Sequence, residues 1–60
     1  MFYVTMESDC GQPTYHTTCN LLEEAEALLI QNGYYPSDCN VSDAYGWITD
    51  ENGKVLACFE

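Results

Sequence analysis

Hydrophobic and polar positions change period twice along this chain. Residues 2–7 (Phe-Tyr-Val-Thr-Met-Glu) are dense in the β-branched and aromatic side chains that suit a pleated, half-buried surface, and they predict a strand. Ser8, Asp9, Cys10, Gly11, Gln12 and Pro13 form a turn cluster. Residues 14–18 read as a second strand, so the two runs are expected to pair as a hairpin. From residue 21 the pattern becomes helical. Projected at 100° per residue, Leu21, Leu22, Ala25, Leu28 and Leu29 fall in one stripe about 120° wide, the expected core face. Glu23, Glu26, Ala27 and Ile30 occupy the opposite side, flanked by Glu24 and Gln31. The ends are marked as well: Asn20 is a good N-cap with Glu23 three residues on, as in a capping box. Gly33 suits the position after the C-cap, Tyr34 can fold back onto Leu29, and Pro36 prevents continuation. A helix over 21–32 is predicted.

After a loop over 34–42, residues 44–49 and 55–59 predict two more strands. Asp50-Glu51-Asn52-Gly53 joins them, and Asn-Gly is a strong hairpin signal. Two registers fit, a two-residue Asn-Gly turn or a type I turn with Gly53 in the left-handed region. They aim Trp47 and Ile48 differently, so which of the two points inward stays open here. Residues 55–59 are apolar throughout, which implies either cover on both faces or a docking surface, and an apolar edge of that kind can also pair two copies. The order is ββαββ, and the simplest architecture is an α+β domain, one antiparallel sheet with one helix packed across it. Such a sheet leaves its second face to water or to a partner. No repeat or linker divides residues 1–60, so a single domain is expected.

Charge changes this picture more than length does. Ten acidic residues face a single base, Lys54, for a formal net charge of −9. Acidic disordered chains are poor in aromatics, whereas this one is 13% aromatic and 47% hydrophobic, so it is expected to fold. Solubility alone needs a net charge magnitude of only about 2–8 in a small domain. An excess of this size repels nucleic acid and anionic membrane and attracts basic protein surfaces. No basic-then-apolar leader opens the sequence, and no apolar run approaches the roughly 20 residues that span a bilayer. The expected compartment is therefore the cytoplasm.

Candidate chemistry is sparse. Cys10, Cys19, Cys39 and Cys58 could make two disulfides, with three connectivities open, but only in an oxidising compartment. Reduced thiols are the expectation, with Cys58 as a small core residue. Zinc sites use Cys or His pairs at short spacing; the nearest arrangement is Cys10, His16 and Cys19 with Cys39 as fourth ligand, and it lacks such a pair. A nucleophile would need a base oriented by a third group, and a Cys19–His16 pair, three residues apart across a strand-to-helix junction, is poor evidence of one. A folded chain this short buries only about 60% of the surface its unfolded form exposes, which leaves little room for a water-excluding pocket. A binding protein is therefore expected, with no catalytic residues, metal or cofactor.

The carboxylates remain. They follow no calcium-loop spacing and form no run. Phosphates on duplex DNA repeat about every 3.4 Å per strand, and carboxylates held on a rigid helix and its adjoining loops can imitate such an array. The candidate protein-binding residues are Glu23, Glu24, Glu26 and Ile30 on the helix, with Asp38, Asp43, Asp50 and Glu51. In overall character, a very acidic chain of 60 residues with ββαββ order and no catalytic motif, the sequence resembles the small inhibitors of host defence encoded by phages and mobile elements. These include anti-CRISPR and anti-restriction DNA mimics. The resemblance implies occupation of the basic nucleic-acid-binding groove of a defence complex such as Cascade, in the host bacterial cytoplasm; whether as a monomer or a homodimer stays open. The alternative is a non-enzymatic module, antitoxin-like or accessory, that binds a protein through an aromatic sheet face of Tyr45, Trp47 and Phe59.

Overall fold

The computed structural model describes residues 1–7, 15–38 and 40–60. The turn cluster at 8–13, residue 14, Cys10 and Cys39 lie outside the described residues. The elements are β1 (Phe2–Met6), β2 (Tyr15–Cys19), α1 (Leu22–Gln31), β3 (Pro36–Ser37), a short 3-10 turn (Val41–Asp43), β4 (Gly46–Thr49) and β5 (Val55–Phe59). They make one antiparallel sheet in the order β2-β1-β4-β5-β3, with α1 across one face, so the α+β architecture stands.

Register and burial assign the two faces. Val4 sits opposite both Thr17 and Ile48, and Gly46 sits opposite Phe59. Val4, Met6, Ile48 and Phe59 are buried against Ala25 and Leu29 of the helix, with Phe2, Cys19, Leu28, Tyr34 and Ala57 packed around them. Because successive side chains alternate across a strand, Tyr3, Thr5, His16, Thr18, Trp47, Thr49 and Cys58 belong to the other face. Ile48 is thus the inward residue of the hairpin and Trp47 the outward one.

Backbone geometry selects the hairpin turn. Gly53 has φ +83°, and no described non-glycine residue has positive φ. A type I′ turn would need positive φ at Asn52 too. Instead the Gly53 N–H donates to the Asp50 carbonyl at 3.1 Å and the Asp50 N–H to the Lys54 carbonyl at 3.0 Å, a type I turn with Gly53 left-handed. Ile48 lies opposite Ala57 while Thr49 lies opposite Val55, so Leu56 is the extra residue of a bulge.

The helix departs from expectation at its start. Leu21, with φ −122° and ψ 144°, holds the N-cap position without a side-chain cap, and the Asn20–Glu23 capping box does not form. Pairing of Cys19 with Phe2 keeps the chain extended to the end of β2, so the helix begins one residue too late for Asn20 to cap it. The expected core face narrows accordingly. Ala25 and Leu29 are fully buried, but Leu21 and Leu22 remain 55% and 37% exposed. At the C-terminal end expectation and structure agree. Gly33 has φ +91°, its N–H reaches the Ile30 carbonyl, and the Tyr34 N–H reaches the Leu29 carbonyl at 3.0 Å, a Schellman motif. The Asn32 side chain also donates to the Leu28 carbonyl at 2.7 Å.

Two further corrections follow from the sheet. The loop expected at 34–42 contains β3, which pairs Pro36 with Phe59 and Ser37 with Cys58. Proline is tolerated there because β3 is an edge. The expected strand at 44–49 starts only at Gly46, after the 3-10 turn and a buried Ala44. Gly46 also admits the helix: a Cβ on it would lie 2.7 Å from Leu29 Cδ2 and 3.4 Å from the Thr5 carbonyl oxygen.

Candidate functional site

Charge and fold are segregated. Among the described residues, none of the five strands contains an Asp, Glu, Lys or Arg. Every described carboxylate lies in the helix, a turn or a loop, and none is buried. Among the described residues the one ion pair joins the Met1 amino group to Glu51 at 3.0 Å. The negative field is therefore almost uncompensated over an accessible surface of 4101 Å², at about one net charge per 450 Å².

On α1, burial of Ala25 and Leu29 turns Glu23, Glu24 and Glu26 to solvent, with Ile30 44% exposed beside them. Glu23 and Glu24 occupy the first turn, where carboxylates suit the positive end of the helix dipole. Topology sorts the other candidates. The start of β1, the end of β2, the start of α1 and the turn at 50–53 share one end of the sheet, so Glu23 and Glu24 are at the same end as Asp50 and Glu51. Asp43 closes the 3-10 turn at the opposite end, near Glu7 and Glu60, whose backbones bond to Tyr45 and Tyr35. Asp38 follows β3 along the sheet edge. The seven acidic candidates thus fall at two ends and an edge, bridged by the helix that also carries Ile30.

Two of them also have local work. The Asp50 Oδ1 accepts the Asn52 and Lys54 N–H groups at 2.8 and 2.9 Å, which fixes the turn. Glu51 faces the amino terminus.

The second surface is the sheet face that no described element covers, the aromatic face for which the sequence suggests Tyr45, Trp47 and Phe59. Tyr3, His16 and Thr18 are exposed there, while Trp47, Thr49 and Cys58 are half-buried. At its centre Thr5 is buried, and its hydroxyl lies 3.3 Å from His16 Nδ1. Tyr45, 48% exposed, has the parity of Trp47 and can join this face. Phe59 cannot, because it is 1% exposed in the core on the helix side. The period-two pattern carried the signal; what was missing was the register.

The same faces decide the metal and thiol readings. His16 is outward and Cys19 inward on one strand, so they cannot share a metal ion or act as a nucleophile–base pair. No cluster of three His, Cys, Asp or Glu occurs among the described residues. Cys19 and Cys58, both free thiols, lie on β2 and β5. Two strands separate them, so they are roughly 14 Å apart at the usual strand spacing. A disulfide needs Cα atoms within about 7 Å, so the connectivity that joins this pair is excluded.

No helix among the described residues is long and apolar enough to cross a membrane. The chain matches no protein-family model, no curated protein and no solved structure.

Proposed function

We propose that this protein is a non-enzymatic inhibitor of the anti-CRISPR type. It lays its carboxylates in the basic nucleic-acid-binding groove of a host defence complex such as Cascade and works in the host bacterial cytoplasm. The observation that carries the reading is the uncompensated charge on a folded scaffold. Glu23, Glu24 and Glu26 stand exposed on one rigid helix, and the one described ion pair lies elsewhere. Lys and Arg side chains that normally meet phosphates would pair with these groups, and Ile30 adds apolar area. Direct binding to nucleic acid is opposed by the same charge.

The test is competition. The purified protein should displace target DNA from such a complex, and its affinity should fall steeply as salt rises, because the contacts replace a screened ionic interface. Glu23→Lys combined with Glu26→Lys should weaken inhibition at least ten-fold, roughly 1.4 kcal/mol. Inhibition that survives this pair of reversals would remove the helix from the interface.

A second reading, an antitoxin-like or accessory module, is favoured by the uncovered sheet face. It would bind through Trp47 and Tyr45, without Phe59. Binding that ignores salt but is lost in Trp47→Ala would favour it, since Trp and Tyr dominate interface hot spots.

A further inference from the structure

Among the described residues, the sheet face turned away from the helix carries no Asp, Glu, Lys or Arg on its strands, in a molecule of charge −9. Tyr3, His16, Thr18, Trp47, Thr49 and Cys58 present rings, a thiol and hydroxyls there, and no strand places an Asp, Glu, Lys or Arg among them. On the helix side of the molecule, by contrast, α1 carries Glu23, Glu24 and Glu26 outward. A basic partner is drawn to the acidic surfaces and gains nothing electrostatic from the sheet. A second copy of this chain is in the opposite position. Met through helices or turns, two copies would bring carboxylates together. Met sheet to sheet, they would bring together only neutral side chains.

We propose that the uncovered sheet face is a self-association surface, on which two copies pack face to face with both acidic helices turned outward. The arrangement goes beyond the inhibitor reading and leaves its helix face free. Four strands about 4.8 Å apart and five residues long give a face of roughly 300–400 Å² per copy. Two such faces bury about 600–800 Å² in total, less than the roughly 1,000 Å² of a stable interface, so the dimer is weak and forms only at high concentration. The remaining charges still repel. With protomer centres about 20–25 Å apart, Coulomb repulsion between two charges of −9, screened with a Debye length of about 10 Å at 0.1 M salt and about 3 Å at 1 M, weakens the dimer about ten-fold at the lower concentration. Self-association therefore tightens with salt, the reverse of groove binding.

The experiment is sedimentation velocity on the full chain up to about 500 µM, the range of weak complexes, in about 0.1 M and about 1 M salt. The emission of Trp47, the one tryptophan, is followed in parallel. The expected result is a dimer fraction that grows with concentration and about ten-fold tighter association at the higher salt, with Trp47 emission moving to the blue as the dimer forms. Tyr3→Glu puts a carboxylate on an inner strand of the face and should abolish the dimer. Glu23→Lys, on the far side, should not weaken it. A monomer at every concentration and salt overturns the proposal. So does a dimer that forms with Trp47 emission unchanged, which would place the contact at the β2 edge or elsewhere. Emission that shifts only when a basic partner is added would give the face to that partner. Loss of DNA competition in a protein that still dimerises would instead strike the inhibitor reading alone.

Discussion

Gly46 shows how much a single position can decide. It is the one inward residue of β4 without a side chain, and Leu29 Cδ2 fills the space where a Cβ would stand, at 2.7 Å. Leu29 is fully buried, so it has little freedom to retreat. Gly46→Ala is expected to destabilise the domain by about 1–3 kcal/mol through overpacking. Chemical denaturation should show a lowered midpoint with an unchanged m-value. Gly33 and Gly53 are the opposite case, with open space around them but φ of +91° and +83°. There the backbone, and not the packing, requires glycine. From the sequence Gly33 and Gly53 are recognisable because each follows an asparagine at the end of a periodic run. The role of Gly46 is not, because it depends on which helix residue lands above it.

Among the elements, the β4–β5 hairpin is tied by one carboxylate. Asp50 Oδ1 accepts two turn amides, a local bonding pattern that favours Asp at the first turn position. Asp50→Ala should cost about 1–2 kcal/mol, whereas Glu51→Ala, whose partner is the exposed amino terminus, should change stability by less than about 0.5 kcal/mol. Thermal unfolding of the two variants side by side checks this. The helix teaches the converse lesson about element boundaries. Its C-terminal signals formed as read, because a left-handed glycine and a following aromatic act within one turn. Its N-terminal signals did not, because pairing of Cys19 with Phe2 prevails over a local capping preference worth about 1 kcal/mol. β3 has no sequence signal for a related reason: two residues have no period, and they become a strand only where β5 offers them an edge.

The whole molecule combines an uncharged sheet with a shell of carboxylates. Self-repulsion of a −9 charge opposes the compact state, and a chain of this size has only about 3–9 kcal/mol of stability to oppose it. Screening should therefore stabilise the monomer. Between about 0.01 and 0.5 M sodium chloride the Tm measured at low micromolar concentration should rise by several degrees, since about 1 kcal/mol moves a domain this small by roughly 4–8 °C. A Tm that ignores salt would show that the carboxylates stand too far apart to repel. The sequence alone determined the class of fold, the helix with its acidic outer face, the position of the turn between β4 and β5, and the sign and size of the charge. These rest on local periodicity, on turn residues and on composition. Only the tertiary structure decided that β1 and β4 pair at the sheet's centre, that Ile48 faces in and Trp47 out, and that Phe59 is core. It also separated His16 from Cys19, and split the candidate carboxylates between two ends and an edge. Each of these depends on strand register, and a shift of one residue exchanges the faces of a strand, which no stretch of sequence specifies without its partner.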